Sequence, residues 1–130
     1  MNATRYLIRV CASGSMERTA VEAGSVPQEH LQMLLQTDAL ERYRVPVRPD
    51  FPDTDNALCY LIDARSGDRG LPMNFIGTCF YHTGCPVCGD LLLGFSGADA
   101  DGTEIIGLTK TQSDLLLSWL HAQFPALPDA

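Results

Sequence analysis

The sequence predicts an α+β fold: a small, mostly antiparallel sheet of about five or six short strands with two helices packed on it. Three observations carry this. Residues 25–35 and 109–124 each open on a helix-start signal and hold apolar residues at helical spacing. Between them lie short β-prone runs separated by Gly, Pro, Ser and Asp. At 130 residues the chain suits a single domain over 1–130, large enough to bury roughly two-thirds of its unfolded surface.

Thr4 to Cys11 alternates loosely and ends at Ser13-Gly14-Ser15, which predicts a strand and a turn, with Glu17 to Glu22 as hairpin partner. Ser25-Val-Pro27-Gln28 reads as a helix start, with Ser25 as N-cap, Pro27 in the first turn and Gln28 at the capping-box position. Leu31, Leu34 and Leu35 give that helix one apolar face. Ala39 to Val47 is expected as a strand. Pro46 to Asp55 holds three prolines and three aspartates and is expected as a loop. Ala57 to Asp63 is a compact apolar run, expected as a buried strand closed by Ser66-Gly67-Asp68. Phe75 to Tyr81 is β-prone, Leu91 to Phe95 predicts another strand, and Asp99-Ala-Asp101-Gly102 forms a loop before Ile105-Ile106. Finally, Thr109-Lys-Thr-Gln112 is a capping box. Leu115, Leu116, Trp119 and Leu120 follow at helical spacing, and Pro125 and Pro128 stop the helix. Leu116, Trp119 and Leu120 are expected to bury against the sheet.

The net charge is −7. Residues 1–69 hold 8 basic and 10 acidic groups, whereas residues 70–130 hold Lys110 alone against 6 acidic ones. Phosphate contacts need a basic stripe, so direct nucleic-acid binding is not expected. The 16 acidic residues are also too sparse for a nucleic-acid mimic. An acidic partner surface is expected around Asp90, Asp99, Asp101 and Glu104. No apolar run approaches the ~20 residues of a membrane span, and Met1 to Val10 lacks a signal-peptide core. The chain is therefore expected in a reducing cytoplasm, where an odd number of cysteines does not suggest a disulfide framework.

Cys79-Phe-Tyr-His82-Thr-Gly-Cys85-Pro86-Val-Cys88-Gly89 places three of the five cysteines and one of the three histidines within ten residues. Cys85 and Cys88, three positions apart and followed by Gly89, have the form of a zinc knuckle, and Cys79 with His82 would complete four ligands. That spacing is tighter than two ordinary knuckles, and Cys59 or His121 are alternative ligands. The same C-P-x-C also suits a thiol oxidoreductase, although Gly89-Asp90-Leu-Leu-Leu after it reads as strand rather than helix. A turn with reduced, unliganded thiols is the third reading. Cys11 and Cys59 sit in apolar runs as small hydrophobes. His30 and His121 are read as helix residues, and Asp99-x-Asp101-Gly102-x-Glu104 is too short for a calcium loop. No G-x-S-x-G, P-loop, dinucleotide fingerprint or H-E-x-x-H occurs.

Several motifs recur in a characteristic order. A helix with Leu31-Gln-Met-Leu34 precedes an apolar strand ending Leu61-Ile-Asp63. Gly70-Leu-Pro-Met-Asn74, Gly89-Asp90-Leu-Leu-Leu-Gly94, an acidic Asp-Gly turn, Gly107-Leu-Thr109 and a terminal helix follow. Over roughly residues 18–120 this resembles a domain family of unknown function found in small proteins of phages, plasmids and their bacterial hosts. The cysteine cluster is a departure from the family pattern. The resemblance implies a non-enzymatic accessory protein of a mobile element. By analogy with other small acidic proteins of such elements, a host protein is the expected partner, a CRISPR or restriction complex being the sharpest version. A zinc or thiol-redox protein and a small-ligand sequestering module are the alternatives.

Overall fold

The computed structural model describes residues 4–22, 24–45, 49–51, 54, 56–65, 68–80, 87–97 and 104–124. Six strands and three helices follow in the order β1 (Thr4–Val10), β2 (Met16–Glu22), α1 (Gln28–Leu35), β3 (Leu40–Arg44), β4 (Leu58–Asp63), α2 (Phe75–Phe80), β5 (Leu91–Ser96), β6 (Ile105–Ile106) and α3 (Lys110–Gln123). The strands form one sheet of order β2-β1-β5-β4-β3, and its assigned strand pairs are antiparallel. β6 pairs with Phe95 and Ser96 of β5, on the edge left free where β1 stops at Leu93.

The hairpin forms where Ser13-Gly14-Ser15 predicts it. Cys11 N–H donates to Ser15 O at 2.8 Å, and Gly14 takes φ 97°, a conformation that favours a residue without a side chain. β4 and β5 lie at the centre and are buried on both faces, which explains their near-continuous apolar sequences. Alternation then splits the core. Leu7, Cys59, Leu61, Leu92 and Ile105 face α1 and meet Val26, Leu31 and Leu35. Ile8, Leu58, Tyr60, Leu91, Leu93 and Phe95 face the other way, onto α2 and α3 through Ile76, Leu116 and Leu120. The result is a three-layer α/sheet/α arrangement.

Close packing at the sheet's seam needs two glycines. A Cβ on Gly94 would stand 2.8 Å from Leu7 Cδ2, and one on Gly107 would stand 2.7 Å from Arg5 Cβ. Both distances are shorter than carbon atoms tolerate, so β1, β5 and the β6 segment approach only because these side chains are missing.

Three expectations are corrected. Of the strand expected over Phe75 to Tyr81, Tyr81 lies outside the described residues and Phe75–Phe80 is a short helix. Asn74 starts it, with Oδ1 accepting from Gly77 N–H at 3.0 Å in the manner of an N-cap. Ser25 does not cap α1, whose N-cap is Pro27 without a side-chain bond. Ser25 instead bridges to Ile106, and Val26 N–H donates to Ile105 O at 2.7 Å, tying the helix entry to β6. Trp119 is half-buried at the core's margin, whereas Leu116 and Leu120 are fully buried. The capping box of α3 forms as expected, with Thr109 and Gln112 bonded reciprocally at 2.8 and 3.1 Å. Among the described residues, no helix is long and apolar enough to cross a membrane.

Candidate functional site

The motif residues Gly70 to Asn74 and Gly89 to Gly94 converge in one clip between α2 and β5. Asn74 is its centre and is buried. Its Nδ2 donates to Val10 O at 3.0 Å and Gly89 O at 2.9 Å, while its backbone N–H donates to Val87 O at 2.7 Å. Gly89 N–H returns a bond to Pro72 O at 2.7 Å, with Gly89 at φ 79°. Asp90 accepts from Ala12 N–H at 3.0 Å and from Arg9 Nη1 at 3.1 Å. Arg9 in turn donates to Leu34 O at the end of α1. These contacts join β1, α1, α2 and β5. The motif thus writes the fold, and its polar groups are occupied in doing so.

Of the four expected zinc ligands, the described residues hold two. Cys79 is exposed near the end of α2, and Cys88 is half-buried and paired through its backbone with Met73. His82 and Cys85 lie outside the described residues. The two ends of the cysteine segment are held together at a neck, where Val87 N–H donates to Thr78 Oγ1 at 2.9 Å. Among the described residues, no three His, Cys, Asp or Glu side chains gather as a metal site. Burial pushes the Cys59 thiol up, against the nearby positive charges of Arg42 and Arg44, so it stays protonated at neutral pH.

The expected acidic surface is divided. Asp90 serves the clip, Glu104 borders a cavity beside β6, and Asp99 and Asp101 lie outside the described residues.

Two cavities flank α1. One of about 230 Å3 sits at the helix C-terminus and is crossed by ion pairs, Arg9 with Asp90 and Arg69 with Asp63. Arg69 also donates to Gln36 O at 3.1 Å, so with Arg9 it supplies two cations to the negative end of α1. Burial pushes the Asp63 carboxyl up. Bonds from Arg65 N–H, the Thr37 hydroxyl and Arg69, with the Arg69 charge, outweigh this and hold it below the ordinary carboxylate value.

The second cavity, about 520 Å3, opens between the α1 N-terminus and the β3–β4 edge. Its floor is apolar: Val26, Leu31, Leu61 and Ile105, all buried. Arg42 and Glu104 stand on its wall, whereas the side chain of Glu41, though that residue borders the cavity, turns to the opposite face of β3 with Tyr43. Arg42 Nη1 is closed off from solvent and, among the described residues, has no hydrogen-bond partner. Sequence reasoning passed over Arg42; its signal was the alternation Leu40, Arg42, Arg44, which puts two cations on the α1 face of an edge strand.

On the opposite face Phe75 is 65% exposed, and Met73, two residues before it, is 55% exposed. Phe75 meets Phe124, beyond the last turn of α3, edge to face at 6.5 Å between ring centres. No family model, curated protein or solved structure matches this chain.

Proposed function

We propose that this protein is a non-enzymatic accessory protein of a phage or other mobile element that acts in the cytoplasm by binding a host protein. A CRISPR or restriction complex is the sharpest candidate target. The contact centres on Met73 and Phe75. One observation carries the reading: a phenylalanine beside the end of α3 and a methionine two positions before it stand mostly in water, while the neighbouring Asn74 and Ile76 are buried. Large apolar groups exposed together in an otherwise well-packed chain mark partner surfaces, where aromatic residues and Met are enriched. The motif order supports the mobile-element setting, and the acidic C-terminal half argues against phosphate contacts as the source of affinity.

The test is site-directed photocrosslinking in the bacterial host, from position 75 and, as control, from exposed Glu29 on the far side of the sheet. A discrete host protein captured from 75 and not from 29, and lost in Phe75→Asp with unchanged melting temperature, is the expected result. Equal capture from both positions, or capture unaffected by Phe75→Asp, would refute the placement.

A zinc knuckle of Cys79, His82, Cys85 and Cys88 is a second reading, favoured by the Thr78–Val87 neck that brings the two ends of the segment together. Its role would be to close the turn beside the Met73–Phe75 surface, with no open position for catalysis. About one zinc equivalent by elemental analysis, released in Cys88→Ser with a fall in melting temperature, is expected on this reading. Metal-free protein with fast-reacting Cys85 and Cys88 would point instead to thiol redox chemistry.

A further inference from the structure

We infer that the cavity between α1 and the β3–β4 edge binds a small amphipathic carboxylate. Its apolar body rests on Val26, Leu31, Leu61 and Ile105, and its carboxylate meets Arg42. The inference stands apart from the partner surface, which lies across the sheet.

Size, lining and charge each contribute. A volume of about 520 Å3 falls within the range of small-molecule sites. Four buried apolar side chains form the floor, so the site rewards a ligand with a hydrocarbon body. Arg42 then sets the head group. A buried donor without an acceptor is costly; Arg42 lines the cavity, and among the described residues its Nη1, turned away from the open space, is such a donor. Binding turns the guanidinium so that Nη1 faces the carboxylate, whose two oxygens match its planar fork.

The same wall decides between anions. Among the described residues Arg42 is the single basic side chain lining the cavity, and the Glu104 carboxylate shares the wall with it. One guanidinium neutralises a monocarboxylate but leaves a doubly charged phosphate in excess beside the Glu104 carboxylate. A neutral hydroxyl offers Nη1 an acceptor without the opposite charge or the second oxygen, and so is the weaker match. Monocarboxylates with a short apolar chain or ring are the class that satisfies floor and wall together.

The test is an amide NMR titration of the intact chain with hexanoate, hexan-1-ol and hexyl phosphate. Hexanoate should shift the amides of Leu31, Arg42, Leu61 and Ile105 and bind about tenfold more tightly than the alcohol. It should also bind more tightly than the phosphate ester. Arg42→Met should bring hexanoate and hexanol to equal affinity, a ratio read within one protein and so insensitive to its stability. Gln28→Trp, at an exposed position on the cavity mouth, should weaken both ligands and keeps the question decidable if Arg42→Met does not fold. Equal affinity for hexanoate and hexanol in the parent chain would overturn the inference. So would shifts confined to other regions, no binding at millimolar concentration, tighter binding of the phosphate ester, or hexanoate affinity untouched by Gln28→Trp.

Discussion

At Asn74 a single buried amide makes three hydrogen bonds, to Val10 O, Gly89 O and Gly77 N–H, and so joins β1, the approach to β5 and the first turn of α2. No other side chain has this geometry: Asp lacks the two donors and Leu lacks all three groups. Asp63 plays a comparable part at the other end of the site, holding Thr37, Arg65 N–H and Arg69. Its folded-state carboxyl lies below its unfolded value, near 3.9 for a free aspartate. The stability it adds is therefore present above about pH 4 and is lost as pH falls through the lower folded value. Asp63→Asn should cost about 1–3 kcal/mol at pH 7, with the gap from the parent chain closing below about pH 4. Urea midpoints measured from pH 7 to pH 3 check this, and a gap constant over that range would contradict the assigned ion pair.

Among the elements, α3 shows how much a periodic stripe reveals. Lys110 to Gln123 forms where its capping box and leucines predict, and Leu116 and Leu120 are wholly buried. Trp119 is only half-buried, packed at the core's margin. Leu116→Ala should cost about 2–5 kcal/mol, the range for a deleted core leucine. Trp119→Ala should cost less than Leu116→Ala despite removing more atoms, because part of the indole is already in water. Chemical denaturation of the two variants tests the order; the reverse order would place Trp119 inside the core. α2 teaches the opposite lesson. Six residues cannot display a helical period, and Phe75 to Phe80 is rich in β-prone side chains. Asn74 at the N-cap was the legible signal, and Gly77 the second: a Cβ there would stand 2.7 Å from Leu91 Cδ2, so the helix packs on β5 only at a glycine.

Over the whole molecule, one sheet divides two unlike faces. The α1 face holds the two cavities beside α1 and the arginines of β1 and β3 that border them, while the α2–α3 face carries the exposed Phe75. Basic groups after residue 69 reduce to Lys110, which lies on α3 close to Asp114 at 3.6 Å. The C-terminal half thus offers a phosphate backbone one cation against six acidic residues. The chain should therefore show no binding to random duplex DNA at physiological salt. Electrophoretic mobility and anisotropy assays test this, and micromolar affinity that weakens steeply with salt would overturn it.

The sequence by itself determined the fold class, the hairpin, the central buried strands and the last helix. These follow from local regularities: alternation, compact apolar runs, turn residues and a capping box act between near neighbours in the chain. It also marked Gly70 to Asn74 and Gly89 to Gly94 as special without saying why. Only the tertiary structure decided that. The partners of Asn74 lie 64 residues away at Val10 and 15 away at Gly89, a meeting no local pattern encodes. The same holds for the cavity at Arg42, whose walls come from α1, β3, β4 and β6, and for the exposure of Phe75. Apolar residues look alike in a sequence whether they face the core or the solvent. Which side they face is settled when the strands pair and the helices choose a face.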